Sequence, residues 1–141
     1  MSQNVYAMGA KAYGAARRTQ SPLRVIVELY DAILCSVAHA KLACLEGKPE
    51  AEFHAVEKAS RILQTLDGVL NDDPKAKLIS DTLHKYYKTT IVQLYRAKQS
   101  KSPDSELRYG SVHRQVLKMR EAFAAIAGVP SIVARVTEKT A

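Results

Sequence analysis

Apolar residues recur every three or four positions along four separate stretches of this 141-residue chain. That spacing puts them on one side of an α-helix, so each stretch is predicted to be an amphipathic helix. Small polar residues followed by proline mark three of the helix starts, because both residue types favour the first turn. These starts are Ser21-Pro22, Asp73-Pro74 and Ser102-Pro103. The predicted helices run from 22 to 46, from 49 to about 70, from 74 to about 97 and from 103 to 128, with Gly110 expected to delay the last one to 111.

Only a few residues connect each predicted helix to the next. Short connections place consecutive helices antiparallel, so the predicted fold is all-α, an antiparallel up-down four-helix bundle. Residues 21–128 form this domain. Residues 1–20 lack a helical apolar stripe and are predicted to be a mobile N-terminal arm, while residues 129–141 are expected to be a short C-terminal helix or disordered.

The first predicted helix carries more apolar surface than one packing face requires. Arg24, Glu28, Asp31, His39 and Glu46 fall within an arc of about 80° at 100° per residue, and only Ser36 and Lys41 interrupt the apolar remainder. One apolar stripe consists of Ile26, Leu29, Ile33, Val37, Ala40 and Cys44, and a second consists of Leu23, Val27, Tyr30, Leu34 and Ala38. Either the helix is buried all round, or the second stripe lines a groove that a partner fills, with Val27 and Leu34 exposed.

The other helices also give specific expectations about which residues face inward. In the second helix Phe53 is predicted to face the core and Glu52 to face outward. In the third, Tyr86 belongs to the inward stripe, which continues through Leu83, Thr90, Leu94 and Ala97. Tyr87, Ile91 and Tyr95 form a second apolar strip beside it. In the fourth, the inward stripe runs from Tyr109 to Ile126.

The net charge of +7 is concentrated in the third helix, because residues 74–101 contain seven basic residues and a single acidic one, Asp81. Lys77, Lys85 and Lys88 share one outward arc, which would suit an acidic partner or a phosphate backbone. The chain has no helix-turn-helix, zinc-finger or aromatic RNA-binding motif. A solvated basic face is therefore the favoured interpretation, and nucleic-acid binding is not expected.

Residues suited to catalysis or metal binding occur without the necessary pattern. The four histidines lie one per predicted helix, and the spacing Asp81-x-x-His84 has no second copy of the kind a di-iron bundle needs. Cys35 and Cys44 lie about 13 Å apart along one helix, too far for a disulfide, so both are expected to be reduced. We expect no enzyme activity, no metal and no cofactor. With no membrane span and no signal sequence, the protein is expected to be cytoplasmic.

Four groups of residues give the chain a resemblance to a known family, and they occur in the family's order along nearly the whole chain. They are the lead-in Ala10-Lys11-Ala12-Tyr13, the helix opening Ser21-Pro22 with Leu29-Tyr30-Asp31, the run Leu83-x-x-Tyr86-Tyr87 with Leu94 and Ala97, and the closing Leu117-x-x-Arg120-x-x-Phe123-x-x-Ile126-Ala127. In these features the chain resembles the FliS family of flagellin-specific export chaperones.

The resemblance implies a partner and a function. Chaperones of this family bind the C-terminal segment of flagellin, prevent its premature polymerisation and present it to the flagellar type III export gate. We expect a monomer or weak homodimer whose partner contacts are Tyr13, Leu23, Ile26, Val27, Tyr30, Leu34, Tyr87, Ile91 and Tyr95. Two alternatives remain open: a nucleic-acid-binding regulator that uses the basic third helix, and a helper that acts on flagellin expression.

Overall fold

The computed structural model describes residues 22–70 and 74–133 of the chain. These residues form four long helices and one 3-10 turn, with no strand in either described range. The helices are α1 (Pro22–Leu45), α2 (Pro49–Gly68), α3 (Lys77–Gln99) and α4 (Asp104–Ala127), and the turn Pro74–Ala76 leads into α3. The predicted N-terminal arm, including Tyr13, and residues 134–141 of the predicted tail lie outside the described ranges.

Glycine and proline set most of the helix boundaries, as the sequence predicts. Gly47 follows α1 with a φ of 66°, and Gly128 caps α4 with a φ of 72°. Glycine adopts this left-handed conformation without the steric cost of a Cβ. The expectation that Gly110 delays the fourth helix is wrong, since α4 begins at Asp104. A glycine inside a helix costs only about 1 kcal/mol, and the packing of its neighbours Tyr109 and Val112 offsets that cost.

The four helices form the predicted antiparallel bundle. Helix α1 packs most extensively against α2 and α4, and α3 completes the ring by packing against those same two helices. Asp67 near the end of α2 pairs with His84 near the start of α3, and Arg120 near the end of α4 pairs with Asp31 near the start of α1. These contacts join the end of one helix to the start of its neighbour, which requires opposite directions.

Two hydrogen bonds cross the core along its diagonals. The hydroxyls of Tyr30 on α1 and Tyr87 on α3 lie 2.8 Å apart. The Tyr109 hydroxyl on α4 donates to the Glu52 carboxylate on α2 over 2.5 Å. The prediction that Glu52 faces outward is therefore wrong, because its charge is buried against a hydroxyl donor. Burial, followed by the bond to Glu52, raises the pKa of Tyr109 above its ordinary range, so the hydroxyl keeps its proton.

Both apolar stripes of α1 pack into the core except for Ala38, which is exposed, so the structure favours the first of the two interpretations of that helix. Val27 is only 1% exposed, and Leu34 also belongs to the hydrophobic core cluster. The expectation that these two residues are exposed is wrong. Both stripes are buried because α1 packs against two neighbouring helices, α2 and α4, and each neighbour needs an apolar face of α1.

The inward stripes of α2 and α3 are buried largely as predicted, but one aromatic residue in each differs. Phe53, predicted to lie in the core, is 39% exposed. On α3, Tyr87 is fully buried, while Tyr86 lies half-buried at the edge of the core. Adjacent helix positions differ by about 100°, so both tyrosines border the inward stripe of α3 and only one of them points into the core.

Candidate partner-binding surface

The structure separates the predicted partner contacts into two sets. Six of them are buried: Leu23, Ile26, Val27, Tyr30, Leu34 and Tyr87. Ile91 and Tyr95 are half-buried on α3 and pack against the edge of the core. Tyr13 lies outside the described residues. Of the described candidates, only Ile91 and Tyr95 therefore present side-chain surface to a partner without rearrangement.

Ile91 and Tyr95 lie in a row along the side of α3 that faces α2. His84, Ile91, Tyr95 and Lys98 follow one another at intervals of seven, four and three residues, which places them on one helix face. Both ends of the row contact α2. His84 Nδ1 is bonded to the Asp67 carboxylate, and Lys98 Nζ lies 5.1 Å from the centre of the Phe53 ring.

We name this surface, with Phe53, Ile91 and Tyr95 as its apolar members, the α2–α3 seam. Its two polar contacts hold the helices together at either end. A cation over an aromatic ring contributes about 0.5–1 kcal/mol at an exposed site. Phe53 was missed as a surface residue because its spacing from Val56 matches the core period. The sequence offers no local signal for its exposure, because the adjacent Glu52 lies equally near the start of α2 and is buried.

The seam borders a basic surface on the outer side of α3. Lys77, Lys85, Lys88 and Arg96 are all exposed, and none of them forms an ion pair with a described residue. Asp81 is the single acidic side chain within α3. Unpaired charges of one sign produce a local potential that attracts the opposite charge over about 10 Å at moderate salt.

A second concave surface lies on another side of the bundle. It is an open groove of about 440 Å³ between the end of α1 and the start of α2. Its apolar lining consists of Leu42 and three alanines, and its rim carries histidines and lysines. The groove shares no residue with the predicted partner contacts.

Three other features of the described residues concern a metal site, a membrane-spanning helix and reactive thiols. The described ranges contain no cluster of three or more His, Cys, Asp or Glu residues that could hold a metal ion. They also contain no helix long and apolar enough to cross a membrane. Cys35 and Cys44 are free thiols, and burial together with Glu52 raises the pKa of Cys44.

Arg120 is the most deeply buried charge in the described chain, and periodicity did not single it out. Its side chain is 2% exposed, and its guanidinium donates to Asp31 over 2.7 Å and to Glu121 over 3.0 Å. Burial alone would lower the pKa of Arg120, but the two carboxylates outweigh burial and raise it. The available signal was its place in the closing motif, where it interrupts an apolar stripe.

A four-helix bundle that presents a half-exposed apolar row beside a basic helix face has the features of a protein-binding module. The family model described as flagellar protein FliS matches residues 4–130. The chain therefore belongs to the FliS family of flagellar export chaperones, whose partner is flagellin, and the resemblance of the sequence to this family is confirmed. The comparison with curated proteins gives no match.

Proposed function

We propose that the protein binds the C-terminal segment of flagellin in the cytoplasm, prevents its premature polymerisation and delivers it to the flagellar type III export gate. The observation that carries this proposal is the family match over residues 4–130. We further propose that the chaperone acts as a monomer or a weak homodimer.

We propose that flagellin docks on the α2–α3 seam. An amphipathic segment can lay its apolar side along a groove between two helices, with anchors spaced at helical intervals. Phe53 and Tyr95 offer aromatic surface, and Ile91 lies between Tyr95 and His84 along the row. Aromatic residues near the centre of an interface carry a large share of binding energy. The buried candidates Tyr30 and Tyr87 would support this surface from the core.

The basic surface of α3 fits a role in association. Because Lys85 and Lys88 are exposed and unpaired among the described residues, they can attract an acidic stretch of partner before the apolar row engages it. The same face supports the alternative of nucleic-acid binding. The exposed apolar side chains beside it, Phe53 and Val92, favour a protein partner over a phosphate backbone.

The proposed docking surface is tested by truncating the seam. Tyr95→Ala and Ile91→Ala are expected to weaken the binding of monomeric flagellin by about 5- to 30-fold each, the effect of losing roughly 1–2 kcal/mol at an anchor. Binding is measured by isothermal titration calorimetry, and circular dichroism checks that each variant remains helical.

Leu78→Ala is the matched control, since Leu78 lies on the same helix, is 75% exposed and is outside the seam. Its affinity should stay within about twofold of the parent. Unchanged affinity in both seam variants, with the fold intact, would place the flagellin contacts elsewhere. Absence of flagellin binding by the parent protein would contradict the proposed function itself.

A further inference from the structure

The chain reverses direction after α4 and returns along that helix. Gly128 adopts the left-handed conformation, and the Val129 N–H donates to the Ala124 carbonyl over 2.9 Å. The following residues, 130–133, then lie beside Arg120 and Glu121 of α4. We call residues 130–133 the strap.

Two adjacent side chains of α4 bind the backbone of the strap. Arg120 Nη1 donates to the Pro130 carbonyl over 2.9 Å, and Glu121 Oε1 accepts from the Val133 N–H over 3.1 Å. The Ser131 hydroxyl donates to the same Glu121 oxygen. A donor for a carbonyl and an acceptor for an amide suit the backbone of the strap, whose residues 132 and 133 are helical, and the third contact adds a preference for a hydroxyl-bearing residue.

The Arg120 side chain is buried and held in place, whereas the strap that it binds lies at the surface. Arg120 is buried and fixed by Asp31, so its guanidinium keeps its direction when the strap leaves. Pro130 and Val133 are exposed, and Ser131 and Ile132 are only half-buried. The contacts that the strap makes with Arg120 and Glu121 are hydrogen bonds, and each such bond contributes little net stability, so a competing peptide can replace them.

The site adjoins the first half of α1, whose predicted partner contacts are themselves buried. Asp31, the carboxylate partner of Arg120, directly follows Tyr30. The Tyr30 ring stacks on Phe123, three residues after Arg120, with ring centres 5.5 Å apart. A peptide that reaches the start of α1 therefore lies next to Arg120 and Glu121.

We propose that Arg120 and Glu121 form a binding site for a peptide that has a serine or threonine at the start of a helical turn, that the strap fills it in the free protein, and that a segment of flagellin replaces the strap in the complex. This inference rests on the proposed function and adds a second contact region to the α2–α3 seam. The strap then acts as an intramolecular competitor. Its release increases the fraction of molecules that can bind.

The test separates loss of the strap from loss of the site. Ser131→Asp places a negative charge against Glu121 and expels the strap while leaving the site intact. We expect it to tighten flagellin binding by about 3- to 30-fold, because the apparent Kd is the intrinsic Kd divided by the open fraction. Glu121→Ala removes the acceptor for strap and flagellin alike, and it should abolish this gain when combined with Ser131→Asp.

Ser111→Asp is the control, because it introduces the same charge on α4 away from the site, at a serine whose hydroxyl accepts a hydrogen bond from Gln115. Hydrogen exchange followed by mass spectrometry on the full chain should show protection of the Val133 amide that is lost in Ser131→Asp and on addition of flagellin. Flagellin that binds without exposing this amide would overturn the inference and leave the proposed function standing. No flagellin binding by the parent in calorimetry would overturn both. Dimerisation of Ser131→Asp in light scattering would assign the site to a second copy of the chain instead.

Discussion

The hydrogen bond between Tyr109 and Glu52 gives the sharpest prediction about what holds the bundle together. Tyr109→Phe removes only the hydroxyl and leaves the ring in place. The Glu52 carboxylate, 9% exposed, then loses the donor that bonds it in the core. A buried acceptor without a partner costs about 1–3 kcal/mol, and a charged group more. We therefore expect Tyr109→Phe to lower the free energy of unfolding by about 2 kcal/mol or more.

A second substitution identifies the cause. Replacing both partners by apolar groups removes the unpaired charge, so Glu52→Leu combined with Tyr109→Phe should cost less than the two single changes added together. The expected coupling is about 1–3 kcal/mol. Tyr95→Phe is the matched control, because the Tyr95 hydroxyl bonds no residue that the structure describes, and its change should stay within about 0.5 kcal/mol.

Urea denaturation followed by circular dichroism measures these differences. With a slope of about 2 kcal/mol per molar urea, the midpoint for Tyr109→Phe should fall by roughly 1 M. A midpoint within about 0.25 M of the parent would mean that water satisfies Glu52 and that the diagonal hydrogen bond adds no stability. Additive single changes would lead to the same conclusion.

Three further predictions follow from burial and charge. Val27→Asp should unfold the bundle rather than selectively weaken partner binding, because it buries an unpaired carboxylate at a position that is 1% exposed. A circular dichroism spectrum like that of the parent protein would refute this prediction. Lys85→Glu with Lys88→Glu should slow flagellin association in stopped-flow fluorescence and reduce its salt dependence without abolishing the complex, whereas complete loss of binding would indicate direct contacts there. Burial raises the pKa of Glu121, but hydrogen bonds from Ser131, Val133 and Arg120 outweigh burial and lower the pKa below 4.5. The contacts of the strap should therefore be fully stable above pH 4.5 and weaken as the pH falls toward the lowered pKa. If protection of the Val133 amide, corrected for intrinsic exchange, does not change over this pH range, the strap contacts are contradicted.

The sequence by itself determined the fold class, the number of helices and most of their boundaries. Each of these depends on neighbours within a few residues. The recurrence of apolar positions follows from the 3.6-residue turn, and Gly47, Pro49 and Gly128 act on the backbone where they stand. Two of the three apolar members of the α2–α3 seam were also predictable, since Ile91 and Tyr95 belong to the apolar strip beside the inward stripe of α3.

Only the tertiary structure decided which of two adjacent apolar positions faces the core. Tyr86 and Tyr87 are equally apolar neighbours, and the rotation of α3 against α2 and α4 selects Tyr87. The second stripe of α1 is buried for the same kind of reason, because the number of neighbouring helices is a property of the assembled bundle. Phe53 is exposed because it lies at the edge of the core, where the start of α2 meets the end of α3.

The buried charges depended on tertiary structure most strongly. Glu52 and Arg120 read as surface residues in a local pattern, since a charged side chain is buried only when a partner compensates for its lost hydration. Their partners lie far away in sequence, Tyr109 at a separation of 57 residues and Asp31 at 89. Periodicity carries no information over such distances, so these pairs exist only once packing has brought the four helices together.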